Sequence, residues 1–182
     1  MIKIFCPLAL LFLFACGNEK EKVSSITMIS TESDQRLAFD GLMRVTDSLI
    51  PAAIRDDSLS FLLLPMEASC PSCRKKVIDS ILAHRNNLRH NHFIILSAGT
   101  GVNTINAYFA DRKGVLPVIQ GKLFIDSTNY AKSLELYENT PMFYYTSQQK
   151  AYKKVSAIPQ TVKDDLSEFF SGHRKQHSYA SK

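Results

Sequence analysis

Two cysteines separated by two residues, Cys70-Pro71-Ser72-Cys73, carry the clearest chemical potential in this chain. The apolar run Phe61-Leu62-Leu63-Leu64 precedes the pair, and residues 74–82 follow with helical spacing of apolar side chains. At a junction of strand and helix the two thiols lie within disulfide reach, and one of them sits at a helix N-terminus. Backbone N–H groups and the helix dipole there favour thiolate over thiol. A lowered thiol pKa keeps a cysteine reactive near neutrality and makes it a good leaving group. Arg74, Lys75 and Lys76 would favour the thiolate further, or else form a solvated helix face. The chemistry suggested is disulfide exchange.

The other cysteines fit an exported protein. Lys3 stands before an apolar stretch at residues 4–14, interrupted by Pro7 and too short to span a bilayer. The stretch ends in Leu13-Phe14-Ala15-Cys16-Gly17-Asn18, which resembles a bacterial lipoprotein signal. Residues 1–15 are then a leader, which takes Cys6 with it, and Cys16 becomes the lipidated mature N-terminus; the alternative is an ordinary signal peptide with an incidental cysteine. Residues 16–30, with the charge run Glu19-Lys20-Glu21-Lys22, read as a flexible tether. The expected location is a bacterial cell envelope, with the membrane reached through the lipid anchor. Only Cys70 and Cys73 remain as thiols. Export exposes them to an oxidising environment, so a redox role needs an external electron donor or oxidant.

Residues 31–172 suit one domain with a substantial core, and 173–182 read as a disordered basic tail. The formal charge of +5 is spread along the 182 residues, which speaks against a nucleic-acid partner. No phosphate-binding glycine loop or Ser/His/Asp pattern stands out, and no metal or other cofactor is expected.

The elements that would position the pair follow from periodicity. Residues 33–50 have helical spacing, with Ser33 as a candidate N-cap and Pro51 as the terminator. Residues 59–64 and 92–96 are continuous apolar strands of the kind buried on both faces. Pro71 suits the first position of the helix after Cys70. Residues 102–112 read as a helix, 116–120 and 122–125 as strands, and 129–137 as a short helix. Residues 142–145 and 151–158 form a strand–turn–strand about a polar turn at 147–150, and 161–170 form a last helix. This alternation predicts an α/β fold: a central mixed sheet with helices on both faces, plus an N-terminal helical extension.

The order and motifs resemble the thioredoxin fold, and more narrowly the membrane-tethered bacterial thiol–disulfide oxidoreductases of the TlpA and ResA type, over about residues 59–170. The resemblance implies Cys70 as nucleophile and Cys73 as resolving thiol, with Pro71, Ser72, Thr140 and Pro141 meeting the client. Thr140-Pro141 matches the family's Thr-Pro, whose proline is cis; the alternative is an ordinary trans turn. The implied partners are thiols and disulfides of exported proteins. The chain departs from the pattern at Ser69, where the family usually has an aromatic residue. Glu67 is a surface charge or a proton shuttle for Cys73.

Two rival readings exist. Cys70, Cys73, His84 and His90 approach zinc-ligand spacing, but His84 would lie about 16 Å along the helix from Cys73. His173 and His177 are a weak copper pair at most. The second rival is a non-catalytic binding lipoprotein with a structural bridge. A bridge that closes two intervening residues gains little loop-closure entropy, which argues for exchange instead.

Overall fold

A computed structural model describes residues 25–172. The leader, Cys16, His173 and His177 therefore lie outside the described residues. A six-stranded mixed sheet forms the centre. Its strands are β1 (Ile26–Met28), β2 (Leu59–Pro65), β3 (His92–Ser97), β4 (Leu123–Asp126), β5 (Met142–Ser147) and β6 (Lys150–Ser156), in the spatial order β1-β6-β5-β2-β3-β4. The helices are α1 (Glu32–Val45), α2 (Pro71–His84), α3 (Val102–Ala110), α4 (Tyr130–Ser133) and α5 (Val162–Ser171). The predicted α/β class, mixed sheet and helices on both faces match this architecture.

β2 occupies the middle of the sheet, parallel to β3 and antiparallel to β5. Every residue of it is buried. Strand alternation sends Leu62 and Leu64 to one face and Leu59, Phe61 and Leu63 to the other. The first face packs against Cys73, Val77, Ile78 and Ile81 of α2, Ile105 and Phe109 of α3, and Leu166 and Phe169 of α5. The second packs against Phe39, Leu42 and Met43 of α1 and Ala131 of α4. Phe61 stacks on Phe93 across the β2–β3 pair at 5.4 Å between ring centroids.

Several boundaries differ from the sequence reading. The tether assigned to 16–30 runs into the sheet, because Ile26–Met28 pairs antiparallel with β6. A three-residue strand is too short to show a period. The first helix is capped by Thr31, whose hydroxyl accepts the Asp34 N–H, and not by Ser33. It ends before Pro51: the Thr46 hydroxyl donates back to the Leu42 carbonyl, and Asp47 and Ser48 turn left-handed with φ of 49° and 54°. The strand expected at 116–120 is irregular. Pro117 has no N–H for a ladder, Val115 and Val118 point into solvent, and the Ile119 carbonyl accepts from the N–H groups of Lys122 and Leu123 in a turn. The helix expected over 129–137 shrinks to α4. The hairpin turn at 147–150 holds, with positive φ at both Gln148 and Gln149, the backbone of a primed turn. The Asp56 carbonyl accepts the Gln148 N–H at 3.0 Å and braces that turn.

His92, at the start of β3, is buried against Phe169, with ring centroids 4.8 Å apart. Burial first, then the charge of Arg89, pushes its pKa down to about 4. The unfolded chain takes up a proton at this site below about pH 6.5, which the folded protein refuses. Stability attributable to this residue is therefore present above about pH 6.5 and is lost as pH falls towards 4. Thermal melts should show a lower midpoint at pH 5 than at pH 7. His92→Phe should shrink that difference, and an unchanged difference would remove His92 as its source.

Candidate functional site

The carboxyl end of β2 delivers the chain into the site. The Met66 N–H donates to the Ser97 carbonyl at 2.8 Å, so the loop after β2 stays fastened to the end of β3. Residues 66–69 lead to Cys70, the N-cap of α2, and Pro71 takes the first helical position, where its missing N–H costs nothing. The guanidinium of Arg74 reaches back over this loop. Its Nη1 donates to the Met66 carbonyl at 2.7 Å and to the Ser69 carbonyl at 3.2 Å, while its plane covers the Tyr108 ring at 4.0 Å.

Both cysteines are thiols, in unequal surroundings. Cys70 is half-buried, and Cys73, one helical turn later, is fully enclosed. The Ser72 hydroxyl lies 3.2 Å from Cys70 Sγ. That hydroxyl, followed by the backbone N–H groups of Cys73 and Ser72, draws the Cys70 thiol down to about 7. Burial, with the neighbouring Cys70 next, pushes the Cys73 thiol up. The N–H groups at the helix N-terminus act as the sequence reading expected, with the Ser72 hydroxyl added to them. That reading left Arg74, Lys75 and Lys76 either favouring the thiolate or forming a solvated face; Lys75 is exposed, and the Arg74 charge goes to the carbonyls of the loop.

Thr140 and Pro141 lie at the same end of the sheet. The pairing of Leu63 with Met142 brings the start of β5 beside the carboxyl end of β2. The expected cis bond is absent: every described peptide bond, including that between Thr140 and Pro141, is trans. An X–Pro bond prefers trans intrinsically by about 0.5–1 kcal/mol. In this geometry the Pro141 carbonyl accepts the Ala157 N–H at 2.8 Å, which carries the turn directly into the β5–β6 pair. The client-facing arrangement that depended on the cis form is therefore corrected.

Ser69 is buried, and its hydroxyl has no hydrogen-bond partner. Glu67 is exposed, and both its carboxylate oxygens are engaged. They accept the N–H groups of Gly99 at 3.0 Å and Thr100 at 3.1 Å, and the Thr100 hydroxyl as well. The Thr100 hydroxyl foremost holds the Glu67 carboxyl below the usual range. This makes Glu67 a brace between two loops, and neither of the two roles read from sequence includes that. His84 stacks on Phe170 at 4.8 Å, at the far end of α2 from Cys73. Among the described residues no group of three His, Cys, Asp or Glu side chains is arranged to hold a metal ion.

Sequence reasoning missed the polar cluster beneath the loops. Ser97 Oγ donates to Asp126 Oδ2 at 2.7 Å, and Asn129 Oδ1 lies 3.0 Å from the same hydroxyl and also accepts from Tyr137. Burial works to push the Asp126 carboxyl up. The Ala131 N–H, the Ser97 hydroxyl and the Tyr130 N–H outweigh it and hold that carboxyl below the usual range. An acid closing an otherwise apolar strand was the available signal.

No protein-family model matches the chain, and no curated protein matches it. Among the described residues no helix is long and apolar enough to cross a membrane.

The contrast between the thiols sets an expected labelling pattern. With iodoacetamide and the folded, reduced protein, modification at Cys70 should rise with pH about a midpoint near 7. Cys73 should stay unlabelled until the protein is denatured. Equal labelling of both thiols would contradict the arrangement.

Proposed function

We propose that this chain is a thiol–disulfide oxidoreductase of thioredoxin-like design, tethered to a membrane of the bacterial cell envelope through lipid on Cys16. The observation that carries the reading is the inequality of the pair: an accessible thiol drawn down to about 7 at the head of α2, one turn before a buried thiol pushed up. The parallel β2–β3 pair, the antiparallel β5–β6 hairpin and the shared packing of α2 and α5 on one face support the thioredoxin-like comparison.

In the proposed reaction the Cys70 thiolate attacks a client disulfide. A Cys70–client disulfide forms, and the first client sulfur leaves as thiolate and takes up a proton. Cys73 then loses its proton and attacks Cys70 Sγ, which expels the second client thiolate. The client gains two electrons and the pair becomes a disulfide. An external dithiol resets it, and the same steps in reverse would oxidise a client dithiol.

Trapping tests this order. Cys73→Ser should accumulate mixed disulfides with exported proteins, visible on non-reducing gels and removed by dithiothreitol, and Cys70→Ser should accumulate none. A second reading, a binding lipoprotein whose bridge is only a structural clip, is favoured by the trans bond at Pro141. It predicts no trapping by either variant.

The tether has its own test. Cys16→Ala should release the protein from membranes or leave an uncleaved precursor. A mature wild-type protein that begins elsewhere and carries no lipid would overturn the anchor but leave the exchange chemistry standing.

A further inference from the structure

The strand registers fix which end of the domain the N-terminal segment enters, and the inference that follows rests on the exchange and lipid-anchor readings above. β2 runs towards Cys70, so its carboxyl end marks the thiol end of the sheet. Leu63 of β2 pairs with Met142, Met142 with Ser156, and Ile26 with Val155. The Ser156 N–H donates to the Ser25 carbonyl at 2.7 Å. Ser25, where the described residues begin, is thereby placed at the thiol end. β1 stands three strands from β2, about 14 Å to one side at the usual strand spacing.

The other terminus leaves from the opposite end. The Ala157 N–H donates to the Pro141 carbonyl at 2.8 Å, so the chain sets out for α5 from the thiol end. α5 then carries it away, and the Ser171 carbonyl accepts from Arg89 at 2.9 Å. Arg89 precedes β3, whose His92 pairs with Ser60 at the start of β2. The two ends of β2 are about 20 Å apart at the rise of a strand, and the loops add to that.

From Cys16 to Ser25 the chain has nine residue steps, which reach about 32 Å at most. A lipid on Cys16 therefore holds the thiol end close to the membrane and leaves the far end outward. A client in bulk solution gains nothing from this. A disulfide at the membrane surface does, because a shared thin layer raises its effective concentration at Cys70.

We infer that the clients of this pair are disulfides displayed at the surface of the membrane that anchors it, on proteins embedded in or tethered to that membrane. The exchange itself is unchanged. The client disulfide takes two electrons and is released as two thiols, and Cys70 and Cys73 are left bridged.

Two anchored forms of the reduced mature chain, residues 17–182, test this. A phospholipid is ligated through the same short peptide to residue 17 in one and to residue 182 in the other. Each sits on phosphatidylcholine vesicles that also carry phosphatidylethanolamine modified with a pyridyl disulfide. Attack by Cys70 releases pyridine-2-thione, read by absorbance, and closure by Cys73 releases the lipid thiol. The form anchored at residue 17 should react about tenfold faster than the form anchored at residue 182. Both should reduce free dithiobis(nitrobenzoate) at the same rate. Equal rates on the vesicle, or a faster form anchored at residue 182, would overturn the inference and leave the exchange reading intact. A Cys70–lipid adduct that never closes with Cys73 would overturn the exchange reading and this inference with it. A mature wild-type protein without lipid on Cys16 would overturn the inference and leave the exchange reading standing.

Discussion

The complete burial of β2 is the constraint on which the rest of the structure depends. The strand is hydrogen-bonded on both edges and covered on both faces, so its register is fixed from four directions. A slip of one residue would exchange the side chains facing α2 with those facing α1. Each large side chain involved contributes about 1.5–3 kcal/mol by burial, so such a slip is heavily disfavoured. The point where the chain leaves the sheet, and with it the start of α2, is therefore set by hydrophobic packing far from any sulfur.

Polar contacts then do what packing cannot. The loop at 66–69 has Met66 buried on one face of the sheet and Ala68 packed against the other, but side-chain packing leaves the carbonyls of Met66 and Ser69 to be satisfied by polar partners. Ser97 holds its first N–H, Arg74 holds two of its carbonyls, and Glu67 ties it to the neighbouring loop at 99–100. Beneath these, the Asp126 carboxylate gathers Ser97 with the N–H groups at the start of α4. The ends of β2, β3 and β4 are thus joined on one side of the sheet, and the thiols stand above that joined edge.

The sequence makes the scaffold legible because burial leaves a periodic trace. The apolar runs at 59–64 and 92–96, the helical spacing around Val77 and Ile81, and the hairpin after Met142 all lie within a residue or a few of their observed bounds. The failures have local causes. The start of the sheet at Ile26 rests on three residues, and the run at 116–120 is apolar without being paired. The cysteine pair was legible from its spacing. So was the pull of the N–H groups at the head of α2 on Cys70; the Ser72 hydroxyl and the fate of the cations were not, because a cation nearby in sequence says nothing of where its charge is spent, and Arg74 spends it on carbonyls. The Thr140–Pro141 bond was misread for a related reason: a dipeptide motif does not encode the isomer, which the surrounding chain decides.

The unequal surroundings of the two sulfurs also bear on electrochemistry. A hydrogen bond that holds a thiolate has nothing to hold once that sulfur enters a disulfide. The hydroxyl and N–H groups around Cys70 therefore lower the free energy of the dithiol form and leave the bridged form untouched. Their effect is to raise the reduction potential of the couple above that of a pair of ordinary thiols, by about 30 mV for each 1.4 kcal/mol of such stabilisation. A pair built in this way gives up its bridge more readily than a pair of ordinary thiols would.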